Sequence, residues 1–479
     1  MPAAVPHRTK IVATTGPAAD SAEQLAALLR AGADCLRFNF SHGQAAEHVA
    51  RMRLARRVAA RLGRRVALLA DLGGPKIRTG AAPPGGVELR RGARVEILPA
   101  PAESAPERIG VSYARLAREV RPGQRILLAD GRIELVVERA VRGRVLARVR
   151  TGGTLGTHQG VNLPGAELSA GALTAKDRRD LAAAARARPD YVALSFVRRP
   201  EDLVECRRAM RRAGLGDAGL IAKIEKPEAL ARIGAILEAC DGIMVARGDL
   251  GVEMDPVEVP AAQRELAERA ARANRLCIVA TEMFESMVES PRPTRAEVSD
   301  VAGAVRDGAD AVMLSAETSI GRHPAEAVRI MGRVLAAAER AEARAGALAG
   351  SAALDGGGGT VDALALAARL IQRDLGGAVL VAATETGRTA RYLSKSRPAA
   401  PILGLSPSAR ALDRMALYWG VLPVRSRPYR RHQDLLVAAE RAAVRHAGAG
   451  RGRQVVILSG TPLGAGTRAN TLQLRRVGG

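Results

Sequence analysis

Eight short apolar runs recur along the chain, almost every one with a charged or hydroxyl-bearing residue at or just past its C-terminal end and most followed by an amphipathic stretch. They are KIVATT (10–15), DCLRFNF (34–40), VALLADL (66–72), YVALSF (191–196), LIAKIE (220–225), DGIMVA (241–246), LCIVATE (276–282) and DAVMLSA (310–316). Intervening segments such as SAEQLAALLRAGA and EDLVECRRAMRRAGL are long enough for the crossover helix that two parallel strands require. Eight such units favour a (β/α)8 barrel over an open sheet. That architecture gathers the C-terminal strand ends on one face, where active sites sit. The polar residues fall at those ends: Thr14; Arg37 with Asn39 and Ser41; Asp71; Ser195; Lys223 with Glu225; Arg247 with Asp249; Thr281; and Ser315 with Glu317. Any one alone reads as a strand-to-helix turn or an N-cap. Eight of one pattern point to the mouth of an enzyme.

The spacing fails once. Between Leu72 and Tyr191, stretches such as GVELRRGARVEILPA and QRILLADGRIELVVERA alternate apolar and polar residues between glycines and prolines. This predicts a small inserted β-barrel, residues 77–168, placed to close over the mouth as a lid. The main barrel is then residues 1–76 and 169–345. GALAGSAALDGGGGT makes 346–360 a linker by composition, and 361–479, with strand runs AVLVAAT and VVILSG, reads as a smaller α/β domain.

The charge balance of +24 raises nucleic-acid binding as a rival function. Against it, the arginines are spread along helical stretches and aromatics are only 2%, which leaves few stacking platforms for single strands. Four scattered cysteines without a C-x-x-C pair indicate neither zinc nor disulfides. No signal core and no apolar run of membrane-spanning length is visible, so the expectation is a cytoplasmic protein that engages no membrane.

Glu225 and Asp249 supply hard oxygen ligands with few partners, which suits a Mg²⁺ ion shared with substrate phosphates. Lys223 lies two residues before Glu225, on the same side of the strand. An ammonium and a metal together, with Arg37 and Arg78 near them in the pattern, form a cationic clamp for a phosphoryl group in transfer. No GxxxxGK[ST] occurs, so a nucleotide would not be held by a P-loop. A structural ion pair is the plainer reading of Lys223 and Glu225.

At this point the sequence resembles the pyruvate kinase family over essentially its whole length. The matching segments are TKIVATTGPA, LRFNFSHG, DLGGPKIRTG, GVNLPG, DYVALSFVRRPEDL, IAKIEKPEAL, DGIMVARGDLGVE, TEMFESMVESPRPTRAEVSDVAGAVRDGADAVMLSAET and TETGRT. The resemblance implies phosphoryl transfer from phosphoenolpyruvate to ADP, followed by protonation of the enolate, in a homotetramer. Carried over by position, Glu225 and Asp249 hold the divalent metal, Mg²⁺ or Mn²⁺ in its place. Lys223 neutralises the phosphoryl oxygens, Arg37 contacts phosphate, and Thr281 and Ser315 order the proton-delivering water. The backbone of Arg247, Gly248 and Asp249, with Thr281, binds the substrate carboxylate. Pro17, His42, Arg78 and Lys176, with Arg37, fall on the nucleotide side. Glu282 stands where the family often has Gln, and Ala316 where it often has Gly. A Mg²⁺-dependent mutase or aldolase of the same barrel class is the runner-up, and the insert and the C-terminal domain argue against it.

Two finer expectations follow from the resemblance. Thr384, Thr386, Gly387, Arg388 and Thr389 of TETGRT match an effector loop for a phosphorylated small molecule, and the negative Glu385 within it favours a monophosphate over fructose 1,6-bisphosphate. The second concerns Lys76, one of only six lysines among 73 basic residues. Many family members place K⁺ beside the Asn39, Ser41 and Asp71 positions and carry an acid where this chain has Lys76. Members lacking the acid have Lys there and an apolar residue like Leu72. A compact ammonium can replace the ion's charge where a broad guanidinium cannot, so K⁺ is expected not to be required.

Overall fold

Each of the eight apolar runs is a strand in the computed structural model, which describes residues 7–344 and 359–478 apart from 101, 142, 167, 430 and 463–466. The strands are β1 (Lys10–Thr14), β2 (Cys35–Asn39), β3 (Ala67–Asp71), β4 (Tyr191–Leu194), β5 (Gly219–Ile224), β6 (Gly242–Ala246), β7 (Leu276–Ala280) and β8 (Ala311–Leu314). All pair in parallel with their neighbours, and β8 pairs with β1 to close the barrel. Nearly every strand residue is buried, as helices outside and packed side chains inside require of a parallel sheet. Most of the expected linker, 346–358, lies outside the described residues.

The barrel floor carries a fourfold device. Asp34, Asp190, Asp241 and Asp310 each immediately precede an even-numbered strand. Each Oδ2 accepts a backbone N–H from the second residue of the preceding odd-numbered strand: Ile11 (3.0 Å), Leu68 (2.8 Å), Leu220 (2.9 Å) and Cys277 (2.8 Å). The carboxylates thereby satisfy buried donors at the floor, where an unpaired N–H is costly. Each also meets a cation. Lys10 and Arg64 face Asp34, and Arg207 faces Asp241. Asp190 takes Arg56 and Arg410, and Asp310 takes Lys395 and Arg397. Arg410, Lys395 and Arg397 come from the C-terminal domain, so two of the four floor carboxylates fasten that domain to the barrel.

The insert is a six-stranded sheet with a two-stranded ribbon around its own apolar core. Its two outer strands, Arg108–Gly110 and Val161–Asn162, are joined across the inbound segment: Thr79 bridges to Val111 and Arg78 to Gly160. The sheet thus wraps into the small barrel expected. In the C-terminal domain four parallel strands, ordered Val421–Arg425, Ile402–Ser406, Val379–Ala383 and Gln454–Ser459, end in an antiparallel edge strand, Thr471–Arg476. Only two of these five were marked by apolar runs. Among the described residues no helix is long and apolar enough to cross a membrane.

Candidate active site

The centre of the mouth is a buried ionic network. Arg37 Nε donates to Asp71 Oδ2 at 2.6 Å and its Nη1 to Thr14 Oγ1 at 3.1 Å. Lys223 Nζ lies 2.7 Å from Glu225 Oε1 and 3.6 Å from Asp71 Oδ1. It also donates to Ser195 Oγ (2.8 Å), which donates to Leu72 O (2.8 Å). Burial alone would lower the lysine pKa, but the Asp71 and Glu225 carboxylates outweigh it and raise it above the ordinary value. Burial pushes Asp71 up, and Lys223 and Arg37 together bring it below the ordinary carboxylate range. Glu225 is different. Burial raises its pKa, Lys223 opposes, and the charge of Asp249 raises it further.

Lys223 is thus divided between two carboxylates, and of the two Asp71 also has an ion pair with Arg37. The Glu225–Asp249 side has Lys223 and, on the same cleft, Lys76, and a hard divalent cation would supply further positive charge there. Glu225 Oε2 already accepts the Phe196 N–H at 2.7 Å. Among the described residues no group of three or more His, Cys, Asp or Glu could hold a metal. Two carboxylates suit Mg²⁺, which keeps waters and takes substrate oxygens for the rest of its shell.

Strands β7 and β8 end in tight turns. Thr281 has φ 70° and Glu282 φ 54°, a left-handed conformation that is costly for a β-branched residue and concentrates at functional sites. It is braced from outside. Arg247 Nη2 donates to Thr281 O at 2.8 Å while Nη1 pairs with Asp300 at 2.7 Å. Thr281 Oγ1 accepts the Gly248 N–H (2.7 Å) and donates to Ala280 O (2.6 Å). The Gly248 N–H expected for substrate carboxylate is therefore engaged by Thr281. The Arg247 side chain has a structural task that the sequence did not suggest. Ser315 precedes the short helix Ala316–Ser319 without a side-chain cap, its N–H held by Glu317 Oε2 (2.5 Å), whose Oε1 takes the Phe284 N–H (3.0 Å). Buried Glu317 thus ties the β7 and β8 turns together.

The DLGGPK loop leaves β3 through Gly74, with φ 66°. A Cβ there would stand 2.7 Å from the Phe196 ring, so the turn under Ser195 and Phe196 requires glycine. Beyond it Lys76 is exposed and faces the cleft. Partial burial and Lys223 lower its pKa, while Asp249, Glu225 and Asp71 act in the other direction. Lys76 therefore feels the whole ionic centre. Asn39 Oδ1 accepts the Ser41 N–H at 3.2 Å, shaping the neighbouring loop. Burial, and then the Lys76, Arg78 and Arg37 charges, push the His42 imidazole below its ordinary pKa. Arg78 donates to His158 O of the insert at 2.9 Å, and Pro17 is exposed on the loop after β1. Lys176 is more committed than the others: its ammonium holds Phe40 O and Asp180, both at 2.7 Å.

Barrel and insert enclose a cleft of about 500 Å³ lined by Lys76, Arg78, Asp130, Phe196, Arg198 and Asp249, among others. Asp130, Phe196 and Arg198 were not singled out in the sequence, because nothing local marks them as facing a cleft. In the C-terminal domain Thr384, Thr386, Arg388 and Thr389 line a second pocket, with Ser459 and Arg468 brought from the far end of the chain. It lies at the C-terminal ends of Val379–Ala383 and Gln454–Ser459, where the strand order reverses and ligand crevices form. Gly387, φ 87°, turns the chain into the helix Arg388–Lys395.

Comparisons with known proteins agree along the whole chain. The profile for "Pyruvate kinase, barrel domain" matches residues 6–328, and that for "Pyruvate kinase, alpha/beta domain" matches 362–474. The pyruvate kinase of Agrobacterium vitis is 42% identical over 473 residues, 98% of this chain and 97% of that protein. Pyruvate kinase 2 of Synechocystis is 45% identical over 424 residues, 88% and 71% of the two chains. The crystal structure of a pyruvate kinase from Cryptosporidium parvum superposes with a TM-score of 0.92 at 31% identity, covering 98% of this chain and 96% of that one.

Proposed function

The chain belongs to the pyruvate kinase family, and from that premise we propose how this site moves the phosphoryl group and which ions it needs. The phosphorus–enol oxygen bond of phosphoenolpyruvate breaks, a bond from phosphorus to a terminal β-phosphate oxygen of ADP forms, and the enolate takes a proton at C3. The observation that carries the reading is Lys223, held between Asp71, Glu225 and Ser195. Its raised proton affinity keeps it a fixed cation, so it stabilises phosphoryl oxygens as charge builds on them and does not serve as the acid. The proton comes instead through water ordered by the hydroxyls of Thr281 and Ser315. Arg37, aimed by Asp71 and Thr14, contacts the substrate phosphate.

Glu225 and Asp249 would hold Mg²⁺, or Mn²⁺, which when bound supplies Lewis-acid neutralisation of the phosphoryl oxygens. The backbone of Arg247 to Asp249, with Thr281, receives the carboxylate, and the Gly248 N–H becomes available only if Thr281 Oγ1 turns away. Pro17, His42, Arg78 and Lys176 form the nucleotide side. Lys76 provides the monovalent charge beside Asn39, Ser41 and Asp71, so K⁺ is not required. The enzyme is a cytoplasmic homotetramer whose 384–389 loop takes a phosphorylated effector.

A coupled assay of ATP formation tests the reading. ATP must appear when both substrates and Mg²⁺ are present, and must not appear when either substrate is omitted. Lys223→Met must reduce turnover by more than about a thousandfold, the scale of losing a charge aimed at a transition state. Retention of turnover in Lys223→Met would overturn the mechanism.

A further inference from the structure

One buried carboxylate in contact with the insert has no part in the chemistry above. Glu253 ends the helix Arg247–Glu253, whose first turn carries Asp249. Its Oε1 accepts a 2.8 Å hydrogen bond from Asn162 Nδ2 of the insert. The same oxygen pairs with Lys226, the residue after Glu225. Glu253 is 4% and Lys226 7% exposed, so neither charge has much water to fall back on. The adjacent Val252 lies under the insert's tip, where a Cβ on Gly131 would stand 3.8 Å from its Cγ1. Tip and amide belong to one edge, because Val161–Asn162 pairs with Arg125–Leu128, which runs into Ala129 to Gly131. The insert therefore rests on the last turn of the helix that begins beside the metal-site carboxylate.

We infer that Glu253 is a positioning residue, a latch that holds the insert closed over the cleft and fixes that closure to Glu225 and Asp249. A hydrogen bond to a carboxylate is stronger than one between neutral groups, and a buried carboxylate deprived of a donor is penalised further. Swinging the insert outward takes Asn162 away and incurs both costs, so the Asn162–Glu253 bond favours the closed, water-excluding state. Lys226 stays behind with Glu253. The carboxylate is thus held ready, next to Glu225, for the insert to return.

Asn162→Leu removes the donor at nearly constant volume and leaves the Glu253–Lys226 pair intact. All four native cysteines are buried, so spin labels on Arg91→Cys of the insert and Arg208→Cys of the barrel report the separation of the two domains. In Asn162→Leu the label distances are expected to broaden toward longer values. kcat/KM for phosphoenolpyruvate and for ADP should fall together, about tenfold, and half-saturating Mg²⁺ should rise about as much. The melting temperature should move by less than about 2 °C, since the bond lies at a domain boundary. Asn162→Gln, which keeps an amide donor, should recover most of the loss. Unchanged label distances in Asn162→Leu, or equal losses in the Leu and Gln variants, would overturn the latch. The kinetic arm rests on the phosphotransfer reading. The distance arm needs no turnover, so a wild-type chain that forms no ATP would defeat that reading and leave the latch to be judged by the labels.

Discussion

The sharpest test of the ion requirement is to remove the charge of Lys76. Lys76 is an exposed residue lining the cleft, so its field on a substrate phosphate is screened between the protein-surface and bulk-water limits. For a unit charge about 6 Å away, Coulomb's law gives about 3 kcal/mol at an effective dielectric of 20 and about 0.7 at 80. A middle value of about 1.5 kcal/mol is about a tenfold effect. Lys76→Met should therefore lower kcat/KM for phosphoenolpyruvate about tenfold, and Lys76→Glu, which reverses the charge, about a hundredfold. The assay is initial rate with Mg²⁺ in tetramethylammonium buffer free of sodium and potassium. Wild type should change less than about twofold on adding K⁺ if Lys76 is the tethered cation of the proposed site. Lys76→Glu combined with Leu72→Thr should regain rate as K⁺ is added. Leu72 is 1% exposed in a packed cluster, so the double variant is expected to lose about 2 kcal/mol of stability and needs assay well below its melting point. Tenfold stimulation of the wild type by K⁺ would refute the reasoning, as would a double variant indifferent to it.

Glu225 should set the acid limb of activity. Its pKa is raised by burial and Asp249 against the opposing charge of Lys223, so on acidification it takes up a proton, and ceases to ligate metal, above the ordinary carboxylate range. Raising Mg²⁺ should move that limb to lower pH by competition with the proton, and a limb indifferent to Mg²⁺ would exclude Glu225. In the C-terminal pocket, AMP or ribose 5-phosphate should lower half-saturating phosphoenolpyruvate more than fructose 1,6-bisphosphate does, and Glu385→Gln should narrow the difference. The opposite order would refute the role given to Glu385. On the barrel floor, Asp310→Asn strands Lys395 and Arg397, whose side chains are 2% and 5% exposed. It should cost about 3–5 kcal/mol, as breaking a buried pair does. Asp241→Asn leaves Arg207, 21% exposed, able to turn to water and should cost less. Calorimetric melting that ranks them the other way would show that burial does not govern the floor.

The catalytic face was legible because the (β/α)8 pattern converts sequence position into spatial position. Once eight strands are assigned, Lys223, Glu225, Asp249, Thr281 and Ser315 must converge, whatever their separation in the chain. The floor obeys the same rule and could have been read in the same way. The pairs Asp34-Cys35, Asp190-Tyr191, Asp241-Gly242 and Asp310-Ala311 place an aspartate before every second strand. The signal is a spacing between strands, and a search of each strand end for chemistry passes over it. What the pattern did not give is the identity of partners. Arg247 was expected to serve through its backbone, and its guanidinium adds a brace on the strained Thr281 that the pattern does not show. Lys176, expected on the nucleotide side, also holds Phe40 O and Asp180, which nothing in the sequence marks. Long basic side chains reach several ångströms in any direction, so the backbone position fixes the neighbourhood and packing selects the partner.

The two ends of the barrel also explain why a pocket in the C-terminal domain can matter to chemistry on the opposite face. The helix Arg388–Lys395 starts in the loop proposed to take the effector and ends at Lys395, whose ammonium is buried on Asp310. Asp310 opens β8, and β8 is only four residues long before Ser315. A ligand that shifts the start of this helix acts on a path of one helix, one ion pair and one short strand, of which the ion pair and the strand are buried. An exposed pair would yield first, since water can replace either partner. A pair with both members buried cannot separate without a large penalty, so helix and strand must move together or not at all. Lys395→Met should therefore reduce the effector's influence on half-saturating phosphoenolpyruvate while leaving kcat at saturating substrate within about twofold, because the methionine fills the space without the tie. An effector response that survives Lys395→Met undiminished would place the path elsewhere, with Arg410 and Asp190 the next joint to break.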